Sequence, residues 1–483
     1  MNRIDVLLDD VLLEIFDFYV NTRPRYEGKR ETDSWQTLVH VCRRWRHLIF
    51  GSPRHLNLQL HCTPETPTRD RLDVWPALPL IIEGGMISSG MDNIVAALGR
   101  SNRVRGVLFS IEDRQLEQVL AAMEVPFPEL TELRLISDYG TLPVIPDSFL
   151  DGSAPRLRTL RLDNIPFPGL PKLLLSATHL VDLHLYDIPH SGYISPEAMV
   201  ALLSALSSLK NLTLEFQSPH SRPDWESRRP LPPKRSVVPA LASFRFGGVI
   251  EYLEDLVTFI DAPQLDCFCV NFLNQIDFDT PRLAQFINRA PKLSKRDALV
   301  QFYEYSASVG LPALSRRTRI LDIEISSRDR NRQLSFIAQV CNSSLSPLTT
   351  VEDLFIKDES RPGWDYYAIE NTLWLKLFLP FTAVKSLYLS IKIAPRIAAA
   401  LQELIGDRIA EVLPSLENIF VEELEPTGPF RENIGQFVAA RQLSNHPIAI
   451  FDWYKDSEDF EDSEDSDYSE YSEYSEYSED SDV

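Results

Sequence analysis

The chain has 483 residues, 44% of them hydrophobic, and a formal net charge of −22; that is ample material for a core, and the length suggests about three ordinary domains or one elongated repeat array. Residues 456–483 hold 14 of the 70 acidic residues and no basic one, which leaves 56 acidic against 48 basic residues before them, a net of −8. A body without basic excess, five scattered cysteines and no run of roughly 18 apolar residues argue against a nucleic-acid binder, a disulfide scaffold and a membrane span, and point to a reducing compartment, cytoplasmic and/or nuclear.

The first expected element is a helix in residues 7–20, LLDDVLLEIFDFYV. Val11, Leu12, Ile15, Phe16 and Tyr19 share a stripe, and Asp9 and Asp10 sit where the helix dipole favours acids. The acidic residues interrupt this segment too often for a signal or anchor. After the hydrophilic stretch 21–34, the stripe resumes as Trp35, Leu38, Val41, Cys42, Trp45, Leu48 and Ile49, and Gly51-Ser52-Pro53 ends it. Residues 1–55 therefore read as a small all-α module of two or three helices. Some fifty residues bury so wide a stripe poorly, and each large side chain left in water forgoes about 1.5–3 kcal/mol. Another polypeptide is expected to cover it; a cap over the first repeat is the alternative reading, compatible with the first.

From residue 56 to 455 one pattern recurs, apolar-x-x-apolar-x-apolar. It runs from Val104/Val107/Phe109 and Leu130/Leu133/Leu135 through Leu157, Leu180, Leu209, Leu241 and Leu265 to Ile320/Ile323/Ile325, then on through Val351 and Val384 to Leu416/Ile419/Val421. Successive starts lie 23 to 33 residues apart, except one gap of 55 in which an irregular unit is expected near 297–306. The last two apolar positions of each unit share one face of a strand. Between them come helical segments such as 195–209, opened by Ser195-Pro196. Strand plus helix in 20–30 residues resembles the leucine-rich-repeat plan, here irregular, because the eighth place after each start, Glu112, Asp138 and Ile165 among them, lacks the usual Asn or Cys. The expected fold class is α/β, an irregular leucine-rich-repeat solenoid behind the helical module.

Residues alternating with the buried pairs face outward, onto the surface that solenoids use for partners. Arg134, Arg161, His184, Tyr186, Arg245, Phe355 and Tyr388 are the candidates there for binding a target protein. Cys267 and Cys269 also face outward, but a zinc site wants four ligands and nothing nearby completes it. No metal or cofactor is expected. Residues 219–238, rich in Pro and Arg, read as a mobile insertion. The tail 456–483 repeats Ser-Glu-Tyr and has the composition of a disordered segment. No phosphate-binding glycine loop, His-Glu-x-x-His or Gly-x-Ser-x-Gly is present, so a non-catalytic role is expected.

Leu7, Asp10-Val11-Leu12, Glu14-Ile15-Phe16 and Val41-Cys42-Arg43-Arg44-Trp45-Arg46 resemble the F-box, with its leucine start, acidic-apolar helix and Val-Cys-Arg-x-Trp ending. With the repeats behind it, the chain resembles the F-box and leucine-rich-repeat proteins expanded in mushroom-forming fungi. Leu8 departs from the family's proline, and 21–34 is longer than its usual connection. The resemblance implies a substrate receptor of a cullin-type ubiquitin ligase, which engages the Skp adaptor through helix-in-groove contacts. The adaptor-binding residues would be Leu7, Leu8, Val11, Leu12, Ile15, Phe16, Leu38, Val41, Cys42, Trp45 and Leu48, with Leu12, Ile15, Phe16 and Trp45 as anchors. A leucine-rich-repeat scaffold with no ligase role is the alternative.

Overall fold

The computed structural model describes residues 7–21, 34–51, 58–65, 67–75, 77–85, 90–137, 143–217, 235–273, 280–293, 295–312, 319–343, 345–360, 370–404, 408–409, 411–424 and 428–453. Three helices open the chain: α1 (Asp9–Asn21), α2 (Ser34–Val41) and α3 (Arg43–Gly51). Among the described residues eighteen strands follow: β1 (Leu58–His61), β2 (Leu80–Gly84), β3 (Val104–Ile111), β4 (Glu132–Ser137), β5 (Thr159–Asp163), β6 (Asp182–Ile188), β7 (Asn211–Phe216), β8 (Ser236–Val237), β9 (Ser243–Gly248), β10 (Ile260–Asp261), β11 (Cys267–Leu273), β12 (Asp297–Phe302), β13 (Ser306–Pro312), β14 (Arg319–Ser326), β15 (Asp353–Asp358), β16 (Ser386–Leu389), β17 (Asn418–Glu422) and β18 (Ala449–Trp453).

Sixteen of these strands form one sheet, in the order β1-β2-β3-β4-β5-β6-β7-β9-β11-β14-β13-β12-β15-β16-β17-β18, and β8 pairs with β10 apart from it. The last two apolar residues of all eleven units lie on strands of the large sheet. Their inward side chains are buried from Val104 to Val421, with Ile320 as the exception. Helices fill most connections and pack on their successors, so a single hydrophobic cluster runs the length of the array. The start signal at 195 is realised: Pro196 opens the helix Pro196–Ala205, and the Ser195 hydroxyl accepts the Ala198 amide at 3.3 Å.

The gap of 55 residues holds a three-stranded meander. Strand β12 pairs parallel to β15, β14 pairs parallel to β11, and β13 runs antiparallel between them. The Arg319 guanidinium ties the three together, donating to Ser308 Oγ at 2.7 Å, to Tyr303 Oη at 3.3 Å, and to Gln301 and Asp322. Because β14 begins at Arg319 to match β13, its inward series is Leu321, Ile323 and Ile325. Ile320 is thereby displaced from the core position that the repeat spacing assigned to it.

Two boundaries are corrected. The insertion 219–238 does not extend to its last residues, since Ser236 and Val237 form β8 and Val238 is fully buried; residues 219–234 lie outside the described residues, as does the tail. Cys42 interrupts the stripe expected to run from Trp35 to Ile49. Its carbonyl accepts the Arg46 amide at 3.1 Å and its sulfur the Trp45 amide at 3.4 Å, so Cys42 caps α3 and the module has three helices.

Candidate functional site

Two surfaces follow from this arrangement, one on the N-terminal helices and one on the open face of the sheet. In the module, Leu12, Leu13, Phe16, Leu38, Val39 and Ile49 are buried and belong to the same hydrophobic cluster as the repeats. Trp45 is half-buried, with its ring centroid 4.6 Å from that of Phe16. Arg44 bonds the Leu7 carbonyl and Asp9, each at 2.6 Å, while Arg46 donates to the Val39 carbonyl at 3.0 Å. These cations fasten α3 to α1 and α2.

The eleven residues expected to meet an adaptor therefore divide. Leu12, Phe16 and Leu38 are corrected: they close the module's own interior and are not presented. Trp45 and Leu48 are half-buried against that interior. Leu7, Leu8, Val11, Ile15, Val41 and Cys42 are exposed. On α1 and the residue just before it, the exposed apolar residues among those described are Leu8, Val11, Ile15 and Phe18, at 74, 42, 46 and 70% exposure. Their 3-4-3 spacing is the seam of a helix that packs on another helix. The expected stripe is real, but turned: Phe18, which the sequence reading passed over, belongs to the outer edge, and Leu12 and Phe16 to the inner one.

On the sheet, one register row crosses every strand. It passes from His61, Glu83 and Leu108 through Arg134, Arg161, His184, Thr213, Arg245, Cys269 and Asp322. It continues through Gly310 and Leu299 to Phe355, Tyr388, Phe420 and Phe451. The seven expected target-binding residues are thus collected on one face, in two groups. Arg134, Arg161, His184, Tyr186 and Arg245 form the first. Phe355 and Tyr388 begin the second, five strand spacings from Arg245, or about 24 Å.

The first group is a polar mosaic. Arg161 reaches Asp163 at 3.2 Å and lies over the Tyr186 ring at 4.7 Å, and His184 Nδ1 is 3.0 Å from Thr213 Oγ1. Burial holds the His184 imidazole below its ordinary range, Asp182 opposes that, and Arg161, Arg134 and Arg245 add to it. Next to it Glu215 is pushed up to about 7, chiefly by burial; Asp187 and Asp163 also raise it, while Arg245 and Arg161 pull it down. Asp187 adopts φ 47° where the register between β6 and β7 shifts.

Cys267 and Cys269 follow, their sulfurs 4.0 Å apart. Hydrogen bonding from Cys269 lowers the Cys267 thiol to about 6 against its burial, helped by Ser243 and Arg245, and the same contact raises Cys269. Among the described residues no group of three or more His, Cys, Asp or Glu is placed to hold a metal ion.

The second group is an aromatic ladder. Phe355 stacks on Tyr388 at 4.2 Å, Tyr388 on Phe420 at 4.5 Å, and Phe420 on Phe451 at 5.2 Å. Trp453 meets the Tyr388 ring edge-on at 5.5 Å, with Lys357 5.8 Å over the indole. Phe451 and Trp453 were missed because their unit breaks the pattern. Ile450 pairs with Ile419, but Asp452 stands opposite Val421 where a third apolar residue is expected. The apolar run from Ile448 to Phe451 was the available signal.

No protein-family model matches the chain, and no curated protein matches it. Among solved structures it is similar to the leucine-rich repeat-containing protein LegL7 from Legionella pneumophila, at 13% identity over 79% of this chain and 98% of that one, with a TM-score of 0.28. At that score the likeness carries no inference. The continuous ladder, parallel except at β13, with helices between its strands makes the body an α/β repeat solenoid.

Proposed function

We propose that the chain is a non-catalytic receptor that joins two proteins, using the sheet face for a target and the N-terminal helices for the Skp adaptor of a cullin-type ubiquitin ligase. One observation carries this reading: α1 with the residue before it keeps Leu8, Val11, Ile15 and Phe18 exposed at heptad-like spacing after the module has closed its own core. A helix that served only to cap the solenoid has no use for an outer apolar edge, and four such side chains forgo several kcal/mol of burial. The F-box resemblance supplies the partner. The ligase chemistry would reside in the conjugating enzyme, and this chain would contribute proximity. The paired aromatic and charged groups of the sheet face suit a protein target, since aromatic residues and arginine dominate binding energy at interfaces.

The burial of Leu12 and Phe16 in the common cluster favours a second role for the same helices, as the cap that shields the solenoid's first strand. The test is co-purification of the full chain with the Skp adaptor. Ile15→Asp changes only the outer edge, so it is expected to abolish recovery while the melting temperature stays unchanged. Equal recovery of wild type and variant, or none of either, refutes the adaptor reading and leaves the solenoid a scaffold without a ligase role.

A further inference from the structure

Cys267 and Cys269 leave β11 on the same face, as the two-residue period of a strand requires. Their sulfurs are 4.0 Å apart, and both residues are half-buried. The register sets Cys269 between Arg245 on β9 and Asp322 on β14, and Cys267 beside Ser243. The other three cysteines are placed differently. Cys62 and Cys341 are buried, and burial pushes both thiols up. Cys42 is exposed, but it belongs to the N-terminal module, where its sulfur accepts the Trp45 amide.

At neutral pH the pair on β11 holds one proton between two sulfurs. The Cys269 thiol donates to Cys267 and lowers it to about 6 against burial, with Ser243 and Arg245 adding to the effect and Asp266 opposing it. In its thiol form Cys267 donates to the Arg319 carbonyl at 3.4 Å. The same sulfur contact keeps Cys269 protonated, together with burial, the Cys267 charge and Asp322, while Arg245 opposes them. The thiolate is the reactive form of cysteine, and an accessible thiolate with a second thiol within reach is the arrangement that peroxide oxidises reversibly.

We infer that Cys267 and Cys269 are a peroxide-reactive dithiol that closes reversibly to a disulfide on the sheet face. The Cys267 thiolate attacks one oxygen of hydrogen peroxide; an S–O bond forms, the O–O bond breaks and hydroxide leaves. The product is a neutral sulfenic acid, so the charge that held the Cys269 proton is gone. That proton passes to the hydroxide and makes water. The Cys269 sulfur then attacks the sulfenic sulfur, the S–S bond replaces the S–O bond, and a second hydroxide departs. The pair gives up two electrons, and peroxide ends as one water and one hydroxide. Two molecules of reduced glutathione reverse the step by exchange. Strand rise sets the two α-carbons about 6.4–6.8 Å apart, at the upper end of the roughly 4.4–6.8 Å that disulfides span. Closure therefore pulls on β11, and a bond formed under such tension is readily reduced. Cys269 stands in the register row of Arg161, His184 and Arg245, so oxidation removes a negative charge from that face. Neither the adaptor nor a target is needed.

The experiment treats the reduced full-length chain with one equivalent of hydrogen peroxide and maps its peptides, with and without later reduced glutathione. The peptide holding both cysteines should lose two hydrogens and resist iodoacetamide, at a rate at least about tenfold above oxidation of Cys42 or Cys62. Glutathione should restore both thiols. Cys267→Ser should slow peroxide consumption at least about tenfold. Cys269→Ser should stop at the sulfenic acid, which dimedone traps on Cys267 in at least about fivefold higher yield than in wild type. The wild-type mapping decides the matter even if a variant folds poorly. Oxidation of Cys42 as fast as the pair, sulfenic acid accumulating on Cys267 of the wild type, disulfides only between copies, or an unchanged rate in Cys267→Ser would each overturn the assignment.

Discussion

Replacing Glu215 with glutamine is expected to stabilise the protein at alkaline pH and to do nothing at pH 4.5. The carboxyl lies in the polar mosaic of the sheet face, and burial, with Asp187 and Asp163 nearby, raises it from 4.5 to about 7. A folded-state pKa above the unfolded one means that the native protein holds the proton more tightly. Stability associated with that proton is present below pH 4.5 and is lost as pH rises through 7. At about 1.4 kcal/mol per pKa unit the full loss is about 3 kcal/mol. Urea unfolding of wild type and Glu215→Gln between pH 4.5 and 8.5 reads the difference directly. The two curves should coincide at the acid end and separate by up to about 3 kcal/mol by pH 8, the variant being the more stable. A constant offset across the range, or a variant less stable at pH 8, would show that the Arg245 and Arg161 guanidinium groups outweigh burial and that this account of the face is wrong.

Phe16→Ala, which empties a fully buried site against Trp45, should cost about 3–5 kcal/mol in urea unfolding followed by tryptophan fluorescence; a loss below about 1 kcal/mol means the module does not share the core. The Arg441 side chain is fully buried and donates to the carbonyls of Ile409, Leu413, Pro414 and Leu416. Arg441→Met should destabilise by at least about 2 kcal/mol, since each orphaned carbonyl costs about 1–3 kcal/mol, and an unchanged melting temperature contradicts this. Iodoacetamide should alkylate Cys267 first, with a rate that halves near pH 6, and Cys269→Ala should move that midpoint upward because the stabilising thiol is gone. Mass spectrometry of the labelled peptides decides it, and equal labelling of Cys62, whose buried thiol is pushed up to about 12, would refute it.

The repeat was legible because each unit repeats a physical requirement, two inward side chains on a strand and one in the turn before it. Units that relax the requirement were hidden. Lys295 stands in the leading place of the β12 unit, where Val351 stands for β15, and Asp452 closes the β18 unit. Antiparallel β13 could not be read from a pattern tuned to parallel strands, and it moved Ile320 off the core. The register row was implicit in the period, so residues such as Arg134, Arg161 and His184 were brought together as the spacing required. Which edge of α1 faces the core was not legible. Leu12 and Ile15 are equally apolar, and only the placement of α2 and α3 distinguishes them.

The meander has a consequence for how the molecule comes apart. Solenoids ordinarily fray from an end, each unit bound only to the one before and the one after it. Here the chain advances past two vacant places to lay down β12, then doubles back through β13 to β14 beside β11. Detaching the C-terminal strands as far as β15 exposes β12, whose removal also strips the support from a strand laid later. The two halves of the ladder are thus spliced by a segment that must release as a block, and unfolding from either terminus should stall there.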